Sequence, residues 1–190
     1  MRILLPAVLM IICTIASADD NDALEREVEQ VVATLLKEFK TALTTAMKED
    51  GPAAAVGVCR DVAPGIYRDL ALDRGWRVTR VGTRVRNPLF GTPDAWEQAG
   101  LAEFRQRQAG GETLDGMTRS ETVREPGGRY YRHLRALGTQ PVCTTCHGPR
   151  DEIGPDIRAM LDEQYPHGRA VGYAAGDLRG AVSVKLRLAD

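Results

Sequence analysis

Aromatic residues are scarce, at 5% of 190, so a surface that stacks nucleic-acid bases is not expected. Charge of one sign is also lacking: 25 Lys and Arg stand against 26 Asp and Glu, a formal net charge of -1. Such a chain has no strong basic field to concentrate nucleic acid or anionic lipid, and no nucleic-acid partner is expected. There is no internal repeat and no low-complexity linker. Past residue 15 no apolar run approaches the roughly 20 residues needed to span a bilayer. Hydrophobic residues at 43% and charged residues at 27% are an ordinary globular balance, and the length admits one domain or one domain plus a tail.

Met1 to Ala18 reads as an export signal. Arg2 supplies the positive end, and Ile3 to Ile15 is apolar apart from Pro6, Cys13 and Thr14. Ala16-Ser17-Ala18 then gives the small-x-small pattern before Asp19-Asp20. The apolar stretch is too short for a membrane anchor, so cleavage after Ala18 and a soluble periplasmic protein are expected. Lipidation at Cys13 is disfavoured because Ile12 stands where a small residue belongs.

The chain then divides into an N-terminal helix, 19–51, and a domain over 52–190. Leu24, Val28, Val31, Val32, Leu35, Leu36, Phe39, Leu43 and Met47 recur at intervals of three and four, the pattern of one long amphipathic helix. Asp20, Asn21 and Asp22 offer N-caps, and Gly51-Pro52 stops it. The helix could pack on its own domain or pair two copies into a homodimer. Residues 52–61 and 64–73 read as helices, 76–86 as a strand and 93–108 as a helix. Residues 112–124 and 129–137 flank the turn Glu125-Pro126-Gly127-Gly128. From 181 to 188 Val182, Val184, Leu186 and Leu188 alternate with Ser183, Lys185 and Arg187, a half-buried strand. This order predicts an α+β fold, an antiparallel sheet with helices packed on one side.

Cysteine is limited to Cys13, Cys59, Cys143 and Cys146, and the first leaves with the signal. Cys143-Thr144-Thr145-Cys146-His147 is the attachment pattern for c-type haem. Two thiols with two residues between them can add to the two vinyl groups of one haem, and the adjoining histidine supplies an imidazole to the iron. At this chain's cysteine and histidine frequencies the pattern arises by chance about once in a thousand such sequences. A zinc ribbon would need a second ligand pair. A redox dithiol belongs in a βαβ unit that this region does not resemble, and a structural disulfide would leave His147 unexplained. One covalent haem c and its iron are the expected cofactor. For the sixth iron position the residues leave Cys59, Met117, His133 and His167 open; each histidine reads more readily as a surface residue than as a ligand, and Cys59 reads also as a small buried hydrophobe.

The segment Val58-Cys59-Arg60-Asp61-Val62-Ala63-Pro64-Gly65-Ile66 resembles the start of a family of exported single-haem c proteins with a PAS-like fold. The likeness continues through Gly75-Trp76, Arg84-Val85-Arg86-Asn87-Pro88 and Pro93-Asp94-Ala95-Trp96-Glu97. It resumes at Tyr130-Tyr131, residues 143–148, Tyr165-Pro166, Ala170-Val171-Gly172-Tyr173 and residues 176–181, in collinear order. The resemblance implies axial ligation by His147 and Cys59. Departures at His133, where the family pattern has proline, and at His167 and Gly168 keep a histidine ligand in competition. The resemblance also gives Arg80, Arg84 and Arg86 a task, pairing with the haem propionates, with Arg86 beside Asn87-Pro88 preferred.

The function that follows is redox or diatomic-gas sensing, the output passing to a redox or signalling protein of unknown identity. The alternative is a single-haem electron carrier. An enzyme such as a peroxidase is not expected, since it wants an open distal site.

Overall fold

The computed structural model describes residues 16–189, and side chains from residue 21. Of the export segment Met1 to Ala18, residues 1–15 lie outside the described residues. Helix α1 spans Ala16–Glu49. Asp20, Asn21 and Asp22 therefore lie inside the helix and do not cap it. Gly51, at φ 86°, ends it where the periodicity stops. Next come α2 (Ala54–Gly57), one π-helical turn (Val58–Val62) and α3 (Ala63–Arg74). Strand β1 (Arg77–Gly82) leads through the short α4 (Pro88–Gly91) to α5 (Ala95–Ala109). The hairpin β2 (Thr118–Glu125) and β3 (Gly128–Gly138) follows. A 3-10 turn (Pro141–Cys143), α6 (Thr144–His147), α7 (Pro155–Gln164) and β4 (Leu178–Arg187) complete the chain.

The four strands form one antiparallel sheet in the order β1-β4-β3-β2, so the fold is α+β. Helices cover both faces of it, not one. On the first face Val28, Val31, Val32 and Leu35 of α1 pack against Val78, Tyr131, Val182, Val184 and Leu186. Each fully buried aliphatic side chain of this kind contributes about 1.5–3 kcal/mol. The apolar stripe of α1 thus covers its own sheet along its N-terminal half. On the second face Leu101 and Phe104 of α5 meet Val81, Leu134, Ala136 and Ala181. Here the polar half of the β4 alternation is buried as well. Ser183 donates to Glu97 Oε1 at 2.6 Å, and Glu97 is fully buried with Arg132 3.3 Å away. Asp94 and Glu97 form a reciprocal capping box at the start of α5, which fixes that carboxylate's direction.

Two expected strands are shorter than their composition suggests. β1 stops at Gly82, opposite Gly180, where the next β4 residue, Arg179, falls out of register, so Arg84 and Arg86 lie in a loop. β2 starts only at Thr118, after positive-φ glycines at Gly111 and Gly116 turn the chain.

Candidate functional site

The Cys143–His147 segment is wound as a 3-10 turn running into one helical turn. Helical spacing places residues three apart on the same face, so Cys143 and Cys146 point the same way. Thr144 Oγ1 donates to the Pro141 carbonyl at 2.7 Å and Gly148 N donates to Thr144 O at 2.7 Å, closing the turn. A side chain at Gly148 would put Cβ 2.6 Å from Thr144 O, which is why a glycine follows His147.

His147 is 8% exposed and held from behind. Its Nδ1 lies 2.7 Å from Ala170 O, and Tyr173 N donates to His147 O at 2.9 Å. The Tyr173 ring packs edge-on at 6.4 Å. Arg86 Nη2 donates to Cys146 O at 2.7 Å and to Ala170 O at 2.9 Å, and sits 3.2 Å from His147 Nδ1. Burial, with the charges of Arg179 and Arg86, holds His147 well below the ordinary histidine range, so the ring is neutral. A neutral ring carries one N–H, and the Ala170 carbonyl takes it from Nδ1. The network therefore assigns the lone pair to Nε2, the arrangement of a metal-binding histidine.

Beside His147 lies a cavity of about 1320 Å³, larger than the ~300–1,000 Å³ of most small-molecule sites. Its apolar walls include Phe39, Leu43 and Met47 from the C-terminal half of α1. Cys59, Cys143, Cys146 and His147 all line it. Cys59 stands on the π-helical turn, a local irregularity that often marks functional positions. The neighbouring Arg60 Nη1 donates to Gln164 Oε1 at 2.6 Å, tying that turn to α7. Cys59, Cys143 and Cys146 are free thiols, and burial, with Cys59 nearby, pushes the Cys146 thiol up.

The other candidates for the sixth iron position are elsewhere. Met117 is buried among Phe104, Leu134 and Ala136. His133 is fully buried between α1 and the sheet, against the expectation of a surface histidine, and His167 is exposed. None of the three lines the cavity. Arg86 lines it, but its Nη2 holds the Cys146 and Ala170 carbonyls, so the expected free fork is partly committed to the His147 loop. Arg84 Nη1 likewise donates to Val171 O and Gly172 O. Sequence reasoning missed Arg179, which lines the cavity. Strict alternation back from Ser183 sends Arg179 to the opposite face of the sheet. Only the pairing irregularity described below turns it round.

The sequence model of the Tll0287-like family matches residues 17–187. This chain belongs to the Tll0287-like family. The match takes in both the Cys59 segment and the Cys143–His147 segment. Among solved structures the chain is similar to the crystal structure of the cyanobacterial heme-protein Tll0287, with a TM-score of 0.62 and 24% identity. The alignment covers 85% of this chain and 95% of that one, a likeness of fold. No curated protein matches the chain.

Proposed function

We propose that this chain is an exported c-type haem protein, a PAS-like module for redox or diatomic-gas sensing. Cys143 and Cys146 would carry one haem covalently, and His147 and Cys59 would hold its iron. The observation that carries the reading is that these four residues line one cavity, whereas Met117, His133 and His167 do not. The donor set fits the group: a neutral imidazole with Nε2 free, two thiols at vinyl spacing and a cavity of haem-compatible size. Three buried polar atoms on residues that line the same cavity, Tyr67 Oη, Thr79 Oγ1 and Thr139 Oγ1, have no hydrogen-bond partner, as expected of a pocket built around another group. The family match and the heme-protein neighbour agree with it.

When bound, haem supplies a one-electron couple and, if an axial position opens, a site for a small diatomic molecule. The chain decides the rest. Ala170 O holds the Nδ1 proton of His147, which fixes the ring's orientation and leaves Nε2 to bind iron. As a ligand the Cys59 thiolate would favour the ferric state and lower the reduction potential, and its displacement would free a position for a small diatomic molecule. The π-turn carrying Cys59 is linked through Arg60 to α7, a route from the distal ligand to the surface.

The test is spectroscopic. The exported protein with haem attached is recorded in its ferric and reduced states, with and without carbon monoxide, as wild type and Cys59→Ala. Thiolate-type ferric bands lost in Cys59→Ala, with carbon monoxide bound on reduction, are expected. Identical spectra for both proteins would remove Cys59 from the iron and leave a plain electron carrier as the better reading.

A further inference from the structure

We propose that Arg179 and Arg80 form a paired guanidinium site that receives the two propionate carboxylates of the haem, with Tyr67 and Thr139 as supporting donors. This rests on the haem reading above and names the residues that orient the group within the cavity.

The strand pairing makes the site. Leu137 pairs with Gly180 and Gly138 with Leu178, so Arg179 is the extra residue of a β-bulge in β4. A bulge breaks the alternation of side chains and re-aims one of them. Here it turns Arg179 into the cavity, on the face that also bears Arg80. Thr83 N and Thr83 Oγ1 both donate to Arg179 O, at 3.0 and 3.2 Å, which fixes the bulge against the end of β1. The position is built, and not a loose surface arginine.

What it lacks is a partner. Among the described residues neither the Arg179 nor the Arg80 guanidinium is paired with a carboxylate. The Arg80 guanidinium lies over the Phe39 ring, 4.6 Å from its centroid. Burial, with the Arg80 charge acting in the same direction, lowers Arg179 to about 10, so holding it here without an acidic partner is costly. Tyr67 Oη lies near Arg80 without a well-formed hydrogen bond, and Thr139 Oγ1 has none. Elsewhere in the fold, half-buried or buried arginines do have acidic partners: Arg132 with Asp94, Glu97 and Glu125, and Arg135 with Glu29. Two guanidinium forks and two hydroxyls without acceptors, in one cavity, call for a ligand with two carboxylates. Of the three arginines expected from the sequence for this task, Arg80 is kept, whereas Arg84 and the preferred Arg86 hold backbone carbonyls instead.

The test uses the full chain with Cys143→Ser and Cys146→Ser, so that haem binding is reversible. Haemin and haemin dimethyl ester, which lacks the free carboxylates, are titrated separately and followed by quenching of Trp76, which lines the cavity. Arg179→Gln and Arg80→Gln are each expected to weaken haemin about tenfold or more while leaving the diester within about twofold. Arg179→Lys, which keeps the charge and loses the fork, falls between. The apo form of Arg179→Gln is expected to melt higher than its parent, because a buried cation without an acidic partner has been removed. Equal losses for acid and diester, unchanged affinity for both, or a lower apo melting temperature would overturn the proposal. A parent that binds neither compound would overturn the haem reading itself. A parent that binds both equally, with arginine variants unaffected, would leave that reading intact and remove only the arginine site.

Discussion

The buried histidine under α1 gives a sharp test of the packing between that helix and the sheet. His133 Nδ1 is 2.9 Å from Ser120 Oγ, which donates in turn to Glu25 Oε1 at 3.1 Å. Nε2 faces Glu29 Oε1 at 3.3 Å, and Arg135 holds the other Glu29 oxygen at 2.6 Å. The groups facing the ring are thus Glu25 and Glu29 from α1, Ser120 from β2, and Arg135 and Tyr131 from β3. Burial is the largest influence and lowers His133 from 6.5 to about 4; Glu25 opposes it and Arg135 reinforces it. Above pH 6.5 the ring is neutral in both folded and unfolded chains. As pH falls below that value the unfolded chain takes up a proton that the folded chain refuses, so stability drops until the pH passes about 4. At 1.36 kcal/mol per pH unit the full loss is about 3 kcal/mol, of which about 2 kcal/mol appears between pH 7.5 and pH 5. Urea unfolding followed by far-ultraviolet circular dichroism at those two pH values, on wild type and His133→Gln, measures it. Wild type should lose about 2 kcal/mol more than the variant over that interval. Parallel losses would refute the reasoning and show that the Glu29 carboxylate holds the proton on His133.

Two further outcomes test the two faces of the sheet. Leu35→Ala, at a position 2% exposed between α1 and the sheet, should cost about 2–5 kcal/mol by the same unfolding measurement. Gly100→Ala places a methyl group 2.3 Å from Cδ1 of the fully buried Leu134, which must shift to admit it. That overpacking should cost about 1–3 kcal/mol, seen as a lower unfolding midpoint.

The elements were legible in the sequence to different degrees, for definable reasons. The α1 stripe from Leu24 to Met47 sustains one period over many turns, so no local competitor matches it. The N-terminal end misled, because Asp20 to Asp22 are good caps yet the helix runs through them. The β4 alternation located a strand but not its surroundings. Ser183 and Lys185 read as a solvent face, yet Ser183 is buried on Glu97 and Lys185 pairs with Glu125. A polar residue satisfied by a buried carboxylate carries no mark in its own sequence that separates it from an exposed one. Likewise His133 looked like a surface histidine because the carboxylates that surround it come from α1, about a hundred residues earlier.

The five residues from Cys143 to His147 are a local code, since thiol spacing and the adjoining imidazole are set by covalent distance along the chain. The haem chemistry proposed for them could therefore be read from the sequence alone, as could the long helix, whose period is equally local. The distal side could not. By residue type alone Cys59, Met117, His133 and His167 stayed open, and only the family resemblance favoured Cys59; in the fold Cys59 lines the cavity with His147 and the others lie outside it. The cations followed the same rule. Sequence pointed to Arg86, whereas a one-residue bulge opposite Leu137 and Gly138 turned Arg179 inward and left Arg86 on carbonyls behind His147. Spacing along the chain fixes what neighbours can do together; which distant groups share a cavity depends on strand register and on where that register slips.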